Sequence, residues 1–208
     1  MARELPEYHR QVAAANREAI VTAATQLFLE LGYDRTSLAQ VAKRAGVSKA
    51  TLFKQFPTKA ELFEAAVLAA GDAPADQPVV VPSAEDFYSG LVELGLAYAE
   101  LLGRPQTLDL IRTHIAESPR FPELRERDFP FGNLAVLSTL GRFLRAVHGA
   151  GTAKVDDPDM ASMQFAGMIS SVVFWPRLVH GNWSISRDDI RRVVEEAART
   201  IVARYGAK

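Results

Sequence analysis

One stretch constrains the chain more than any other: TSLAQVAKRAGVSKATLFKQFPTK, from Thr36 to Lys59. Its spacing predicts two short helices joined by a tight turn, with another helix starting just beyond. Thr36 and Ser37 are placed to cap the first, whose apolar stripe is Leu38, Val41 and Ala42. Gly46, within Ala45-Gly46-Val47, supplies the left-handed residue that stops this helix and redirects the chain. Ser48 then caps a second helix in which Leu52 and Phe56 share one face at i, i+4 spacing. Helix, glycine-containing turn, helix is the pattern of a DNA-binding helix-turn-helix. The second helix exposes Lys49, Ala50, Thr51, Phe53 and Lys54, a small, basic, hydroxyl-bearing surface suited to a major groove.

Charge distribution agrees with that reading, although bulk charge does not. The net charge is −1, yet residues 1–60 hold nine Lys/Arg against five Asp/Glu, and the rest holds fifteen against twenty. A basic N-terminal segment on an acidic body fits a DNA-binding head joined to a body of another kind. The chain has no cysteine, which excludes disulfide frameworks, thiolate metal sites and thiol catalysis. The N-terminal MARELPEYHR lacks the apolar core of a secretory signal, and no apolar run approaches the length of a membrane span. These features predict a soluble, cytoplasmic protein without a membrane partner.

Nearly all of the remaining chain carries helical periodicity. Ile20, Ala23, Ala24, Leu27, Phe28 and Leu31 form an amphipathic stripe ended by Gly32, and Thr58-Lys59-Ala60-Glu61 is a capping box opening a helix towards Gly71. Residues 71–83 concentrate Pro, Asp and Gly and mark a linker containing Val79-Val80-Val81. Beyond it, helices are expected from Ala84 to Gly103, from Pro105 to about Ser118, from Phe121 and, after a break near Phe129-Pro130-Phe131-Gly132, through Val147. Residues 149–156 form a loop before two long segments, Asp157 to His180 and Ser186 to Tyr205. The expected fold is all-α with about nine helices. An N-terminal three-helix helix-turn-helix head spans residues 14–74, and a helical ligand-binding and dimerisation body spans residues 84–208.

Residues 17–67 resemble the N-terminal domain of the tetracycline-repressor (TetR) family of bacterial regulators. The resemblance rests on Ala23-Ala24, Leu27-Phe28, Gly32-Tyr33, Thr36-Ser37, Val41-Ala42, Ala45 to Lys49, Thr51-Leu52, Phe56, Lys59 and Leu62-Phe63. It implies an all-helical homodimer whose heads bind a palindromic operator and whose body dimerises through its last two long helices around an effector pocket. It also implies that Ser37 and Ser48 approach phosphates, that Lys49, Ala50 and Thr51 face the groove, and that Lys59 binds phosphate. The chain departs from the family in carrying Phe53 where Tyr is usual and Gln55 where His is frequent. Phe53 can pack on a thymine methyl or sugar, and Lys54 can supply a phosphate contact in place of the missing hydroxyl. Arg120 to Leu124, RFPEL, resembles a subgroup tied to efflux-type regulation.

In the body, the Met, Phe and Trp series from Met160 to Trp183 is expected to be core or dimer interface. The functional alternative is that Phe165, Met168 and Trp175, with Phe87 and Tyr98, line a cavity for a small, mostly apolar effector. Arg112 and His114 would supply its polar contacts, and a kink at Pro176 would make room. Dimerisation is expected over residues 157–205. His114 and Glu117 lie at i, i+3 without a second paired motif, so no metal or other cofactor is expected. Phosphate loops, nucleophile elbows and paired-His zinc motifs are absent from the sequence, so no enzyme is expected. The sequence thus predicts a sequence-specific DNA-binding regulator, a repressor released by its effector. The alternative is a helical protein–protein adaptor or a regulator without a small-molecule effector.

Overall fold

A computed structural model describes residues 4–71, 79–125 and 134–207. Among them are eleven helices, nine of at least seven residues, and no strand. They are α1 (Glu4–Arg35), α2 (Leu38–Arg44), α3 (Lys49–Gln55), α4 (Lys59–Gly71), α5 (Phe87–Leu102), α6 (Pro105–Glu117), α7 (Pro122–Arg125), α8 (Ala135–Gly149), α9 (Pro158–Val173), α10 (Trp175–Val179) and α11 (Arg187–Tyr205). The chain divides into two compact units, one of residues 1–70 with 109–130, the other of residues 71–108 with 131–208.

The first unit is built on the stripe that the sequence displays. Ile20, Ala24, Leu27 and Phe28 of α1 pack with Val41, Leu52, Phe56, Leu62 and Phe63 in one core. The three aromatic rings of Phe28, Tyr33 and Phe63 meet at centroid distances of 5.0–5.9 Å, two of the contacts edge-to-face. Leu110 and Leu124 belong to the same core, and Phe121 lies edge-on to Tyr33 at 5.1 Å. Residues of α6 and α7 therefore share the core of the first unit.

Local chemistry explains where these helices stop. Gly32 leaves helical geometry at φ 80°, as expected, but α1 begins far upstream of Ile20, at Glu4. Ser37 alone caps α2, in a reciprocal capping box with Gln40. Thr36 is not a cap for α2; it is buried, and its hydroxyl lies 2.8 Å from the Gly32 carbonyl oxygen, to which it donates, with the Leu27 carbonyl at 3.2 Å. At the head of α4, the Thr58 hydroxyl accepts from the Glu61 amide at 3.1 Å.

The second unit is a helical bundle around α5, whose buried side chains Phe87, Leu91, Leu94, Tyr98 and Leu102 recur at helical spacing. Helices α8, α9 and α11 pack on it. Close approach depends on two missing side chains. A Cβ at Gly90 would lie 2.2 Å from the Phe143 ring, and one at Gly95 would lie 2.6 Å from Val194 and 2.9 Å from Phe165. The expected single segment from Asp157 to His180 is two helices. Pro176 has no N–H to give and its ring crowds the carbonyl four residues back, so α9 ends at Val173 and α10 starts after Phe174. An isolated antiparallel bridge from Ala153 to Gly206 ties the loop after α8 to the end of α11. Val79 to Val81 carry neither helix nor strand, and the expected chain break at Phe129 to Gly132 lies outside the described residues.

Candidate nucleic-acid interface and body cavity

The helix-turn-helix is closed by hydrogen bonds that the left-handed backbone at Gly46 permits. Gly46, at φ 67°, lets its own amide reach the Lys43 carbonyl and the Val47 amide reach that of Ala42, at 3.3 and 3.0 Å. This pairing is a Schellman motif, and it turns α2 into α3 within four residues. Ser48 then accepts from the Thr51 amide at 3.0 Å, while its hydroxyl pairs with that of Thr51 at 2.9 Å. Leu52 is fully buried, which fixes the rotation of α3 about its axis. Lys49, Ala50, Phe53 and Lys54 consequently face outwards, and Phe53 is 49% exposed. A helix is about 10–12 Å across with its side chains, which a major groove ~12 Å wide admits.

Charge on this motif is uneven. Arg44 is held by both carboxylate oxygens of Glu30 at 2.8–2.9 Å. Lys43, Lys49 and Lys54 make no ion pair among the described residues. Lys43 was not singled out from the sequence, where it is only one of two cations in the last turn of α2. Gln55, one of the two departures from the family, donates to the Ala13 carbonyl at 3.1 Å and so ties α3 to α1. Arg17 adds a second tie by lying 4.4 Å over the Phe56 ring.

Lys59 sits differently from the other expected DNA contacts. Its amine donates to the carbonyl oxygens of Tyr33 and Asp34 at 2.9 and 3.3 Å, and lies 4.3 Å from the Tyr33 ring centre. Partial burial lowers its pKa, opposed by the nearby carboxylates of Asp34, Glu123 and Glu117. Across from it, the Tyr33 hydroxyl donates to Glu123, and burial together with that carboxylate raises the phenol pKa. Lys59 therefore clasps the end of α1 to the start of α4 in this structure.

The seven residues expected to bind an effector are divided between the two units. Arg112 and His114 belong to the first unit, where Arg112 pairs with Asp109 at 2.9 Å and His114 stacks on Phe63. Phe87 is buried against Phe143, and Phe165 is buried in the bundle core. Met168 is half-buried, and Trp175 is 52% exposed. Tyr98 alone of the seven lines a cavity of about 810 Å³ in the second unit. Its other walls come from α8, including Leu137, Arg142 and Arg145, and from α9, including Asp159, Met163 and Ser170. Sequence reasoning missed these because each repeats at ordinary helical spacing on a different helix. Arg142 and Arg145, the two arginines of α8, were the available signal.

Comparison with known proteins places both units. The sequence profile for bacterial regulatory proteins of the tetR family matches residues 20–66, and that for the AefR-like transcriptional repressor C-terminal domain matches residues 89–207, over half of the chain. An uncharacterised HTH-type transcriptional regulator of Mycobacterium bovis is 36% identical over 111 residues, 53% of this chain and 52% of that protein. The chain thus spans about half the length of the curated relatives it matches. A TetR-family regulator from Pseudomonas syringae superposes with TM-score 0.64 at 28% identity, covering 92% of this chain and 97% of that one. The flavonoid-responsive regulator FrrA superposes with TM-score 0.71 at 26% identity, covering 93% and 98%. Among the described residues no helix is long and apolar enough to cross a membrane. With a helix-turn-helix head and a matching helical body, the chain belongs to the TetR family of bacterial transcriptional regulators.

Proposed function

We propose that the protein is a cytoplasmic, dimeric repressor that leaves a palindromic operator when a small molecule occupies its body. The observation that carries this reading is α3, held by Leu52 so that Lys49, Ala50, Phe53 and Lys54 face outwards, with both lysines lacking an ion pair among the described residues. Lys49, Ala50 and Thr51 read bases; Ser37, Ser48 and Lys54 position the head on phosphates, and Phe53 packs on a methyl or sugar. Lys59 reaches phosphate only by giving up its carbonyl partners, so its first role is to hold the head together.

Two heads of a dimer would occupy successive major grooves about 34 Å apart. Dimerisation through residues 157–205 is supported by the apolar surface that α9 and α10 expose, including Met160, Val172, Trp175 and Val179. Repression agrees with the description of the matching C-terminal domain. A small-molecule response agrees with the cavity at Tyr98 and with the flavonoid-responsive relative. Release follows if the effector binds better to a dimer whose heads no longer match the groove spacing.

Titrating duplex DNA with the full chain at several salt concentrations tests the reading. A regulator loses affinity steeply as salt rises, and Lys49→Ala alters preference among operator variants. Salt-independent or absent DNA binding would favour the adaptor alternative instead.

A further inference from the structure

Helices α8 and α9 face each other across the cavity with matched stripes, residues 137, 138, 141, 142 and 145 on one side and 159, 162, 163, 166, 167 and 170 on the other. Each set keeps to one helical face, so the space is a groove with Tyr98 of α5 as part of its lining. Its walls include Leu137, Met163 and Ala166, and a Cβ placed on Gly167 would meet nothing within 4 Å. A volume of about 810 Å³ is within the range of small-molecule sites.

The charge in the groove is not balanced. Arg142 and Arg145 stand against one carboxylate, Asp159. Arg145 reaches Asp159 only at 3.5 Å, with both side chains more than half exposed, which makes a weak pair. Arg142 donates to the Thr139 hydroxyl at 2.9 Å and makes no ion pair among the described residues. A guanidinium has five N–H donors, so most of those on Arg142 remain available to a ligand or to water. Burial raises the Tyr98 phenol to about 12, so it is a neutral hydrogen-bonding group that adds no opposing charge.

We propose that this groove takes an anionic molecule with an apolar body, its carboxylate held by Arg142 and Arg145 and its hydrocarbon part against Leu137, Met163 and Ala166. The inference rests on the effector reading above and specifies the ligand class. A carboxylate gains charge-assisted, bidentate contacts that a neutral molecule of the same shape lacks. A cation meets a net positive rim.

Calorimetric titration of the full chain with matched pairs, naphthoate against naphthol and octanoate against octanol, tests this. At least one acid should bind more tightly than its alcohol, Arg142→Gln should weaken the acid by about tenfold or more and leave the alcohol unchanged, and Lys154→Gln on the surface should change neither. Equal affinity for acid and alcohol, indifference to Arg142→Gln, or no binding of either acid, as when a second copy fills the groove, would overturn the inference. The same samples with operator DNA separate the two readings. Arg142-dependent acid binding without DNA release upholds the anion site and removes the release mechanism. DNA release by the alcohols alone does the reverse.

Discussion

Replacing Lys59 by Met removes one charge while keeping most of the apolar stem, which isolates what the amine does. Its bond to the Tyr33 carbonyl at 2.9 Å is charge-assisted, a class worth about 1.5–3 kcal/mol, and the longer one to Asp34 adds less. Contact with the Tyr33 ring at 4.3 Å contributes about 0.5–1 kcal/mol. Against this, the amine is partly desolvated, as its lowered pKa records, and losing the charge recovers that cost. The net expectation is a loss of about 1.5 kcal/mol confined to the first unit. Tryptophan fluorescence is blind to it, because Trp175 and Trp183 both belong to the second unit. Native-state hydrogen exchange resolves it: amides of residues 20–66 should exchange about tenfold faster, with those of α5, α8, α9 and α11 unchanged. The slope of DNA affinity against salt should stay the same. Unaltered exchange together with a slope reduced by about 0.9, the value of one lost phosphate contact, would refute the clasp and return Lys59 to the DNA interface.

Other perturbations follow from the same geometry. Ser48→Ala should cost about 1 kcal/mol of head stability through loss of the cap, measured by hydrogen exchange of α3. Ser48→Asp should restore the cap but weaken DNA binding by setting a carboxylate beside phosphate. Gly90→Ala drives a Cβ to 2.2 Å from the buried Phe143 ring and should destabilise the second unit by about 2 kcal/mol, seen in the tryptophan-detected melt; an unchanged melt would contradict the packing. His114 is partly buried against Phe63, and burial lowers its pKa below the ordinary 6.5. The unfolded chain therefore takes up a proton there before the folded one does. Stability of the first unit from this group is full above about pH 6.5 and declines as pH falls through 6.5 towards the lowered folded value, and exchange-detected stability of His114→Gln should lose that part of the decline.

The head was legible because its constraints are local. Capping at Ser37 and Ser48, the left-handed Gly46 and the i, i+4 pair Leu52 and Phe56 each act within a few residues, and together they fix which face of α3 is exposed. Distant partners were not legible. Nothing in the neighbourhood of Lys59 says that its amine will meet carbonyls 25 and 26 residues earlier, or that Phe121 will pack on Tyr33. The expected effector residues are a related case. Aromatic and methionine spacing identifies an apolar helix face but not what covers it, so Phe87 and Phe165 fell in the core and Trp175 on the surface. The α8–α9 groove is a property of two helices in register, and neither sequence stripe announces the other. At Pro176 the expected kink became a full break at Phe174, since loss of one N–H coincides with steric crowding of the preceding turn.

Selection of bound fragments from random duplex DNA by the purified full chain, followed by sequencing, tests the central claim most directly. A two-fold symmetric consensus with half-sites about one helical turn apart, altered by Lys49→Ala, is the predicted result. No enrichment at low salt, from protein whose head is shown to be folded by hydrogen exchange, would contradict a sequence-reading role for α3.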